Sequence, residues 1–429
     1  MSELPEGWVK TTLGKLLTPK GYIRGPFGSA LKRGDMEVKG IPVYEQQNAI
    51  YNHRQFRYFI GKEKYNKLKR FTVRPNDMVI SCSGTLGRVT MIQEKDPIGI
   101  ISQALLILRH DSKKITHFYL KYFLTSQKGY NSMISRSSGS VQINLAKREV
   151  IENIPFNLPP LPEQKAIAAV LSAFDDKIEL LREQNQTLEI LAQTIFKEWF
   201  VHFNFPDQDG KPYRDNGGEM VDSELGEIPK GWRVVKISDL FDVRDGTHDS
   251  PKQNDYGYYL ITSKHLLNHT LDFDSAYFIS EDDYININKR SLAERYDILF
   301  SMIGTLGLTY LEQSININYA IKNVGLFKTS QNEKWVFYTY LWLSGVQGRN
   351  YISSNKSGST QEYMSLTSLR NISYCMPAEG LLNLFNEIMK VIFKKIKNNA
   401  AQIQTLSKTR DTLLPKLMSG ETRVKGFEQ

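Results

Sequence analysis

The sequence predicts an α/β (α+β) chain: two mixed α/β globules separated by two long antiparallel helices forming a coiled coil, the whole a pseudo-two-fold internal repeat. Three observations predict it. Motifs of the first half return in the second at an offset near 220, about half of the 429 residues, and a period that long means a duplicated domain rather than a solenoid of short repeats. Each half carries an apolar stripe at 3-4 spacing, sustained for about four heptads. The first stripe opens on Leu158-Pro159-Pro160-Leu161-Pro162-Glu163, and proline is tolerated in a first helical turn because its missing N–H would have had no partner there.

The duplication is explicit. Leu4-Pro5-Glu6-Gly7-Trp8 returns as Ile228-Pro229-Lys230-Gly231-Trp232, and Ser81-Cys82-Ser83-Gly84-Thr85-Leu86-Gly87 as Ser301-Met302-Ile303-Gly304-Thr305-Leu306-Gly307. Residues 118–142 laid over 337–361 match at ten of 25 positions, against about one or two expected by chance. Within the globules, β-branched and aromatic runs at Met78–Ser81 and Ile98–Leu108, and at Asp297–Met302 and Tyr319–Phe327, read as strands bounded by Gly and Asn turns. Thr116–Phe123 and Trp335–Leu343 read as apolar helices. The domains follow as 1–160 for the first globule, 161–203 for the central helix, 204–376 for a linker and the second globule, and 377–429 for the C-terminal helix and tail.

The first stripe runs Leu171, Phe174, Ile178, Leu181, Asn185, Leu188, Ala192, Ile195, Trp199. The second runs Met389, Ile392, Ile396, Asn399, Ile403, Leu406, Arg410, Leu413, Leu417, and superposes on the first at an offset of 218. Two matching stripes in one chain predict that the helices pair with each other rather than only with their own globules. Asn185 and Asn399 sit inside the stripes, where a polar residue lowers stability but fixes register. Connectivity makes the pair antiparallel and brings the two termini of the chain together. About 40 residues at 1.5 Å each give a rod of about 60 Å.

Composition narrows the function. Two cysteines, Cys82 and Cys375, exclude a disulfide scaffold or a cysteine-rich zinc site. No apolar run is long enough to span a membrane, and the first residues lack a secretory pattern, so no membrane and a cytoplasmic location are expected. Lys and Arg outnumber Asp and Glu by 55 to 46, a net charge of +9, which favours an anionic partner, nucleic acid first. Catalytic motifs are absent or decoys. Asn157-Leu158-Pro159-Pro160 has the wrong order for an amino-methyltransferase. Glu163-Gln164-Lys165 has nuclease spacing but no Pro-Asp upstream. Gly84-Thr85-Leu86-Gly87 lacks the lysine of a phosphate-binding loop. His265 and His269 have no third metal ligand nearby.

The loops of the globules instead carry side chains that bind phosphates and base edges. In the first half these are Arg24, Lys32, Arg33, Gln46, Gln47, Asn48, Ser83, Arg88, Arg136, Ser138 and Gln142. In the second half they are Arg244, Thr247, His248, Lys252, Ser263, Lys264, His265, Lys356, Ser357 and Gln361. Ser138-Gly139-Ser140-x-Gln142 is common to both halves, which suits a shared backbone role. Gln46-Gln47-Asn48 becomes Ser263-Lys264-His265, which suits reading different bases.

Over its full length the chain resembles the specificity subunit of type I restriction-modification systems. The resemblance is carried by Leu158-Pro159-Pro160-Leu161-Pro162-Glu163-Gln164 leading into Leu171-Ser172-Ala173-Phe174-Asp175. It is carried also by Gly25-Pro26-Phe27-Gly28-Ser29, Arg244-Asp245-Gly246-Thr247-His248 and Leu413-Leu414-Pro415-Lys416-Leu417-Met418-Ser419-Gly420. It implies two target-recognition domains, each reading one half of a split site in double-stranded DNA, and helices that space them and dock two methyltransferase subunits, joined by restriction/translocase subunits. It implies no catalysis, metal or cofactor in this chain, which confers specificity on an adenine methyltransferase and an endonuclease; S-adenosylmethionine, ATP and Mg are expected on those partners. Met376-Pro377-Ala378-Glu379-Gly380 departs from the first helix start. The alternatives are a self-contained nuclease-methyltransferase and a coiled-coil adaptor without DNA affinity.

Overall fold

The computed structural model describes residues 4–136, 143–145, 147–267, 269–359 and 361–427, without the side chains of 135, 136, 143 and 144. It forms two compact units, Met1–Ile178 with Thr405–Gln429, and Glu179–Gln404. Each unit therefore takes one globule and a stretch of both long helices, a different partition from four consecutive segments.

The first unit is built on a four-stranded antiparallel sheet in the order Leu17–Arg24, Leu105–His110, Met78–Ser81, Val89–Met91. Met78–Ser81 is buried at every position, as a continuous apolar run in the middle of a sheet must be. A second sheet orders Phe59–Ile60, Ile41–Tyr44 and Ile100–Ile101, the last pair parallel. Val9–Thr12 pairs with Pro155–Leu158, so the first strand closes against the chain just before the long helix.

The second unit repeats this plan strand for strand. Val243–Asp245, Val324–Phe327, Ile298–Ser301 and Thr309–Leu311 form the four-stranded sheet, Phe278–Ile279, Tyr258–Ile261 and Tyr319–Ile321 the mixed one, and Arg233–Lys236 pairs with Ser373–Met376. The runs Ile98–Leu108 and Tyr319–Phe327, each expected as one strand, are each two strands in different sheets. Ser102-Gln103-Ala104 redirects the first run: Ser102 N donates to Tyr44 O and Cys82 N to Ala104 O. In the second, Asn323 takes the left-handed conformation at φ +51°, which Asn tolerates better than most residues.

The apolar helices are His117–Thr125, whose Thr116 hydroxyl accepts from Tyr119 N at its start, and Val336–Ser344. Each lies in the main core of its unit. The long helices are Leu161–Phe200 and Glu379–Ser419, of 40 and 41 residues. Their first residues are also 218 apart, so the altered second helix start leaves the helix in the same place. Within each unit the two helices run antiparallel. In the first, Asp175 meets Arg410 while Glu163 meets Arg423. In the second, Asn185 meets Asn399 while Phe200 meets Phe385. Arg423 also donates to Glu6 O at 3.4 Å, which joins the two ends of the chain.

The stripe residues vary in burial. Leu171, Ile178, Leu181, Ala192, Met389, Ile392, Ile396 and Leu417 are buried, while Phe174, Leu188, Ile195, Ile403, Leu406 and Leu413 are half-buried. Asn399 Nδ2 donates to Asn185 Oδ1 at 2.9 Å, both residues buried. At the end of the first helix the core is taken up by Phe196 and Phe200, one position beyond Ile195 and Trp199. These rings meet Tyr338 at centroid distances of 5.1 and 4.9 Å, so packing on the globule overrides the heptad there.

Candidate nucleic-acid interface

The loops that could meet a duplex hang on one turn, present in both units. Ser81 Oγ donates to Thr85 O at 2.6 Å and accepts from Arg88 N at 2.9 Å. Ser301 Oγ donates to Thr305 O at 2.6 Å and accepts from Leu308 N at 2.7 Å. Both serines are buried. The turn requires φ of +58° and +69° at Gly84 and Gly87, and +79° and +85° at Gly304 and Gly307, where glycine has no steric cost. The shared motif thus fixes a backbone shape and leaves the tip residues free to differ.

In the first unit the tip holds Ser83, exposed, and Gln46, whose amide donates to Ser83 O while Ser83 Oγ donates back to Gln46 Oε1 at 3.4 Å. Lys32, Arg33 and Arg88 are exposed, and Arg24 is half-buried beside the Phe27 ring. Gln47 lies against Glu45, to which it donates at 3.4 Å. Asn48 is a correction. Expected among the base-reading side chains, it is buried, and it holds its own loop shut by donating to Gln55 O at 2.9 Å and accepting from Glu45 N at 2.8 Å. The Arg136 side chain, Ser138 and Gln142 lie outside the described residues.

In the second unit Thr247, His248 and Ser263 gather around Asn323. His248 Nδ1 lies 2.6 Å from Asn323 Oδ1, Ser263 Oγ donates to Asn323 O at 3.3 Å, and Asn323 N donates to Thr247 O at 3.1 Å. Lys252, Lys264 and Gln361 are exposed, while Arg244 is turned onto Asp242 at 2.5 Å. Lys356 pairs with Glu362 at 2.6 Å, and Ser357 pairs with Tyr363 through the backbone. His265 is the second correction. It is fully buried, its Nδ1 accepts from Thr262 N at 2.9 Å, and burial pushes its pKa below the usual imidazole value. A neutral ring closing its own turn is removed from base reading. Of the three matched differences, Gln46 against Ser263 and Gln47 against Lys264 reach the surface, while Asn48 and His265 do not.

Two groups of residues escaped sequence reasoning. One is the set of polar anchors under the first long helix. Glu163 is buried, accepts from Trp8 Nε1 at 3.0 Å, and takes a two-pronged bond from Arg423 at 2.9 and 2.8 Å. Buried Gln164 accepts from Thr116 N and donates to Pro159 O, both at 2.9 Å. The decoy nuclease motif is therefore a structural joint. The other is a set of cations, Lys20, Arg70, Arg74 and Arg148, lining one pocket with Arg24. Among the described residues no cluster of three His, Cys, Asp or Glu side chains is placed to hold a metal, and no helix is long and apolar enough to cross a membrane. Burial pushes the Cys82 thiol up to about 12, away from nucleophilic chemistry.

The chain matches the family model described as the type I restriction modification DNA specificity domain twice, over residues 5–190 and 229–408. It is 30% identical over 314 residues to the type I restriction enzyme MjaIX specificity subunit of Methanocaldococcus jannaschii, covering 71% of this chain and 68% of that one. It is 23% identical over 436 residues to the MjaVIII specificity subunit of the same organism, covering 99% and 95%. The crystal structure of a type I restriction-modification S subunit from M. genitalium shares the fold, with a TM-score of 0.55 at 16% identity over 96% of each chain. The two matched segments fall one on each globule and its adjoining helix, so sequence and topology point the same way: the chain belongs to the type I restriction-modification DNA specificity family.

Proposed function

We propose that each globule reads one half of a split site in double-stranded DNA through the loops carried on the Ser81 and Ser301 turns. The chain is a specificity subunit of a type I restriction-modification system, and its two specificity-domain repeats fit a bipartite target. The observation that supports the loop assignment is the contrast between a repeated turn and unlike neighbours: the same hydrogen bonds hold the Ser81 and Ser301 turns, while Gln46 and Ser83 bond to each other at the first and Ser263 and His248 bond to Asn323 in the second unit. Side chains with these donors and acceptors discriminate base pairs in the major groove.

On this reading the chain is not itself catalytic. Two methyltransferase subunits bring S-adenosylmethionine, and restriction subunits bring ATP and Mg; the long helices supply the docking surface, and the complex works in the cytoplasm. Salt titration tests the DNA-reading role. The purified chain should bind duplex DNA with an affinity that falls by a slope of about 0.9 in log K against log salt for each phosphate neutralised. Affinity that is flat across low and moderate salt would contradict it.

A further inference from the structure

The geometry points to a phosphate-binding pocket on the first unit that has no counterpart on the second. This rests on the DNA-reading role only for the source of the phosphate, not for the pocket. Lys20, Arg24, Arg70, Arg74, Arg109 and Arg148 line one pocket of about 690 Å³. Two are already neutralised: Arg109 by Asp77 at 2.7 Å and Arg148 by Glu152 at 2.9 Å. The other four have no ion-pair partner among the described residues. Four uncompensated cations around one concavity repel one another, and an anion with several oxygens relieves that repulsion while accepting from each guanidinium.

The backbone supports a built site. Lys20 lies in an irregular stretch of Leu17–Arg24, where the register moves from Leu17 opposite His110 to Tyr22 opposite Leu108. Its φ is +61°, a conformation L side chains avoid and that collects at binding sites. Bulges re-aim a side chain in the same way.

The second unit shows what the same backbone does without the pocket. Sheet register sets Arg24 opposite Leu106 and Asp245 opposite Gly325, matched positions. Arg74 N donates to Asp77 Oδ2 at 2.8 Å and Glu294 N to Asp297 Oδ2 at 2.7 Å, again matched. Two arginines of the first unit are thus carboxylates in the second, and Asp245 there pairs with Arg290 and His248. Glu294 is likewise paired, with Lys328 at 2.6 Å, so these positions offer an anion no free cation.

The phosphate can come from a DNA backbone or from a free phosphate compound, and two arms separate them. The full chain is titrated with a mixed-sequence duplex across salt, and separately melted with sodium pyrophosphate, as wild type, as Arg70→Ala/Arg74→Ala and as Lys20→Gly. Lys20→Gly removes the charge and the backbone strain together, so lost binding cannot be blamed on misfolding. If the source is DNA, the double variant lowers the salt slope by about 1.8, and the wild type loses roughly twelve-fold more affinity than it over a fourfold rise in salt. Lys20→Gly lowers the slope by about 0.9. If the slope is unchanged but pyrophosphate raises the Tm of wild type and not of the variants, the ligand is a free phosphate compound and the pocket stands. If neither differs between wild type and variants, the pocket proposal is overturned. A wild type that binds no duplex at low salt would overturn the DNA-reading role instead, leaving pyrophosphate to decide the pocket.

Discussion

The two helix starts of this molecule occupy matched places and use opposite chemistry. In the first unit Trp8 donates to buried Glu163, which Arg423 grips with two bonds. At the matched positions in the second, Leu381 replaces Glu163 and Phe205 replaces Arg423. There the Trp232 ring meets other rings, Phe205 stacked at 5.2 Å, Phe203 edge-on at 5.6 Å and Phe200 at 6.2 Å. At the next residue, buried Gln164 becomes buried Leu382. Beside the start of the first stripe, Asp175 bonded to Arg410 at 2.7 Å becomes Phe393 and Ala192. Phe393 stacks on Phe337 at 5.1 Å. A duplicated backbone can therefore be held by directional polar joints or by apolar packing. The polar version is satisfied by a few specific atoms, and the apolar one by shape.

That difference predicts unequal responses. The largest is at Glu163. Glu163→Ala strands Arg423 and Trp8 Nε1 without their acceptor, and breaking a buried pair from one side costs about 3–5 kcal/mol. Glu163→Leu with Arg423→Phe copies the second unit and should cost far less, because well-packed apolar replacements of a buried pair are often neutral or better. Urea unfolding of the two variants measures this; equal losses would mean that the joint is no more than packing.

A smaller effect is expected from acid. Burial alone would raise the Asp175 carboxyl, but the Arg410 bond and the Lys121 charge hold it below the usual carboxylate range. Its folded value lies under its unfolded value, so its contribution is complete above about pH 4 and is lost as pH falls through the folded value. Asp175→Asn should remove this part of the acid sensitivity and cost about 1.5–3 kcal/mol at neutral pH, the scale of a charged hydrogen bond. Phe393 and Ala192, at the matched positions, cannot titrate. Denaturant midpoints measured from neutral pH downward check it: wild type and variant should differ at neutral pH, and the gap should narrow as pH falls below about 4.

The sequence shows clearly what is local or periodic. The heptad stripes with Asn185 and Asn399 are legible because burial repeats along one helix, and the Ser81 and Ser301 turns because every bond closes within seven residues. What it hides is set by distance and by inward loops. The Ile98–Leu108 run reads as one strand because it is apolar at both ends, and Ser102-Gln103 between them marks a division between two sheets that becomes plain only in the fold. Asn48 and His265 are ordinary polar loop residues until the backbone folds over them. Arg423 lies 260 positions from Glu163, and the cations of the first-unit pocket are scattered from Lys20 to Arg148.

The central claim is that each unit reads its own half-site, and replacement of one globule tests it most directly. Residues 9–158 are exchanged for the matching segment of a relative with a different target, both long helices being kept, and the methylated motif is mapped in cells carrying the chimera with its partner subunits. The account predicts a split motif in which one half changes to that of the relative and the other half is untouched. A motif changed in both halves, or in neither while methylation persists, would contradict it.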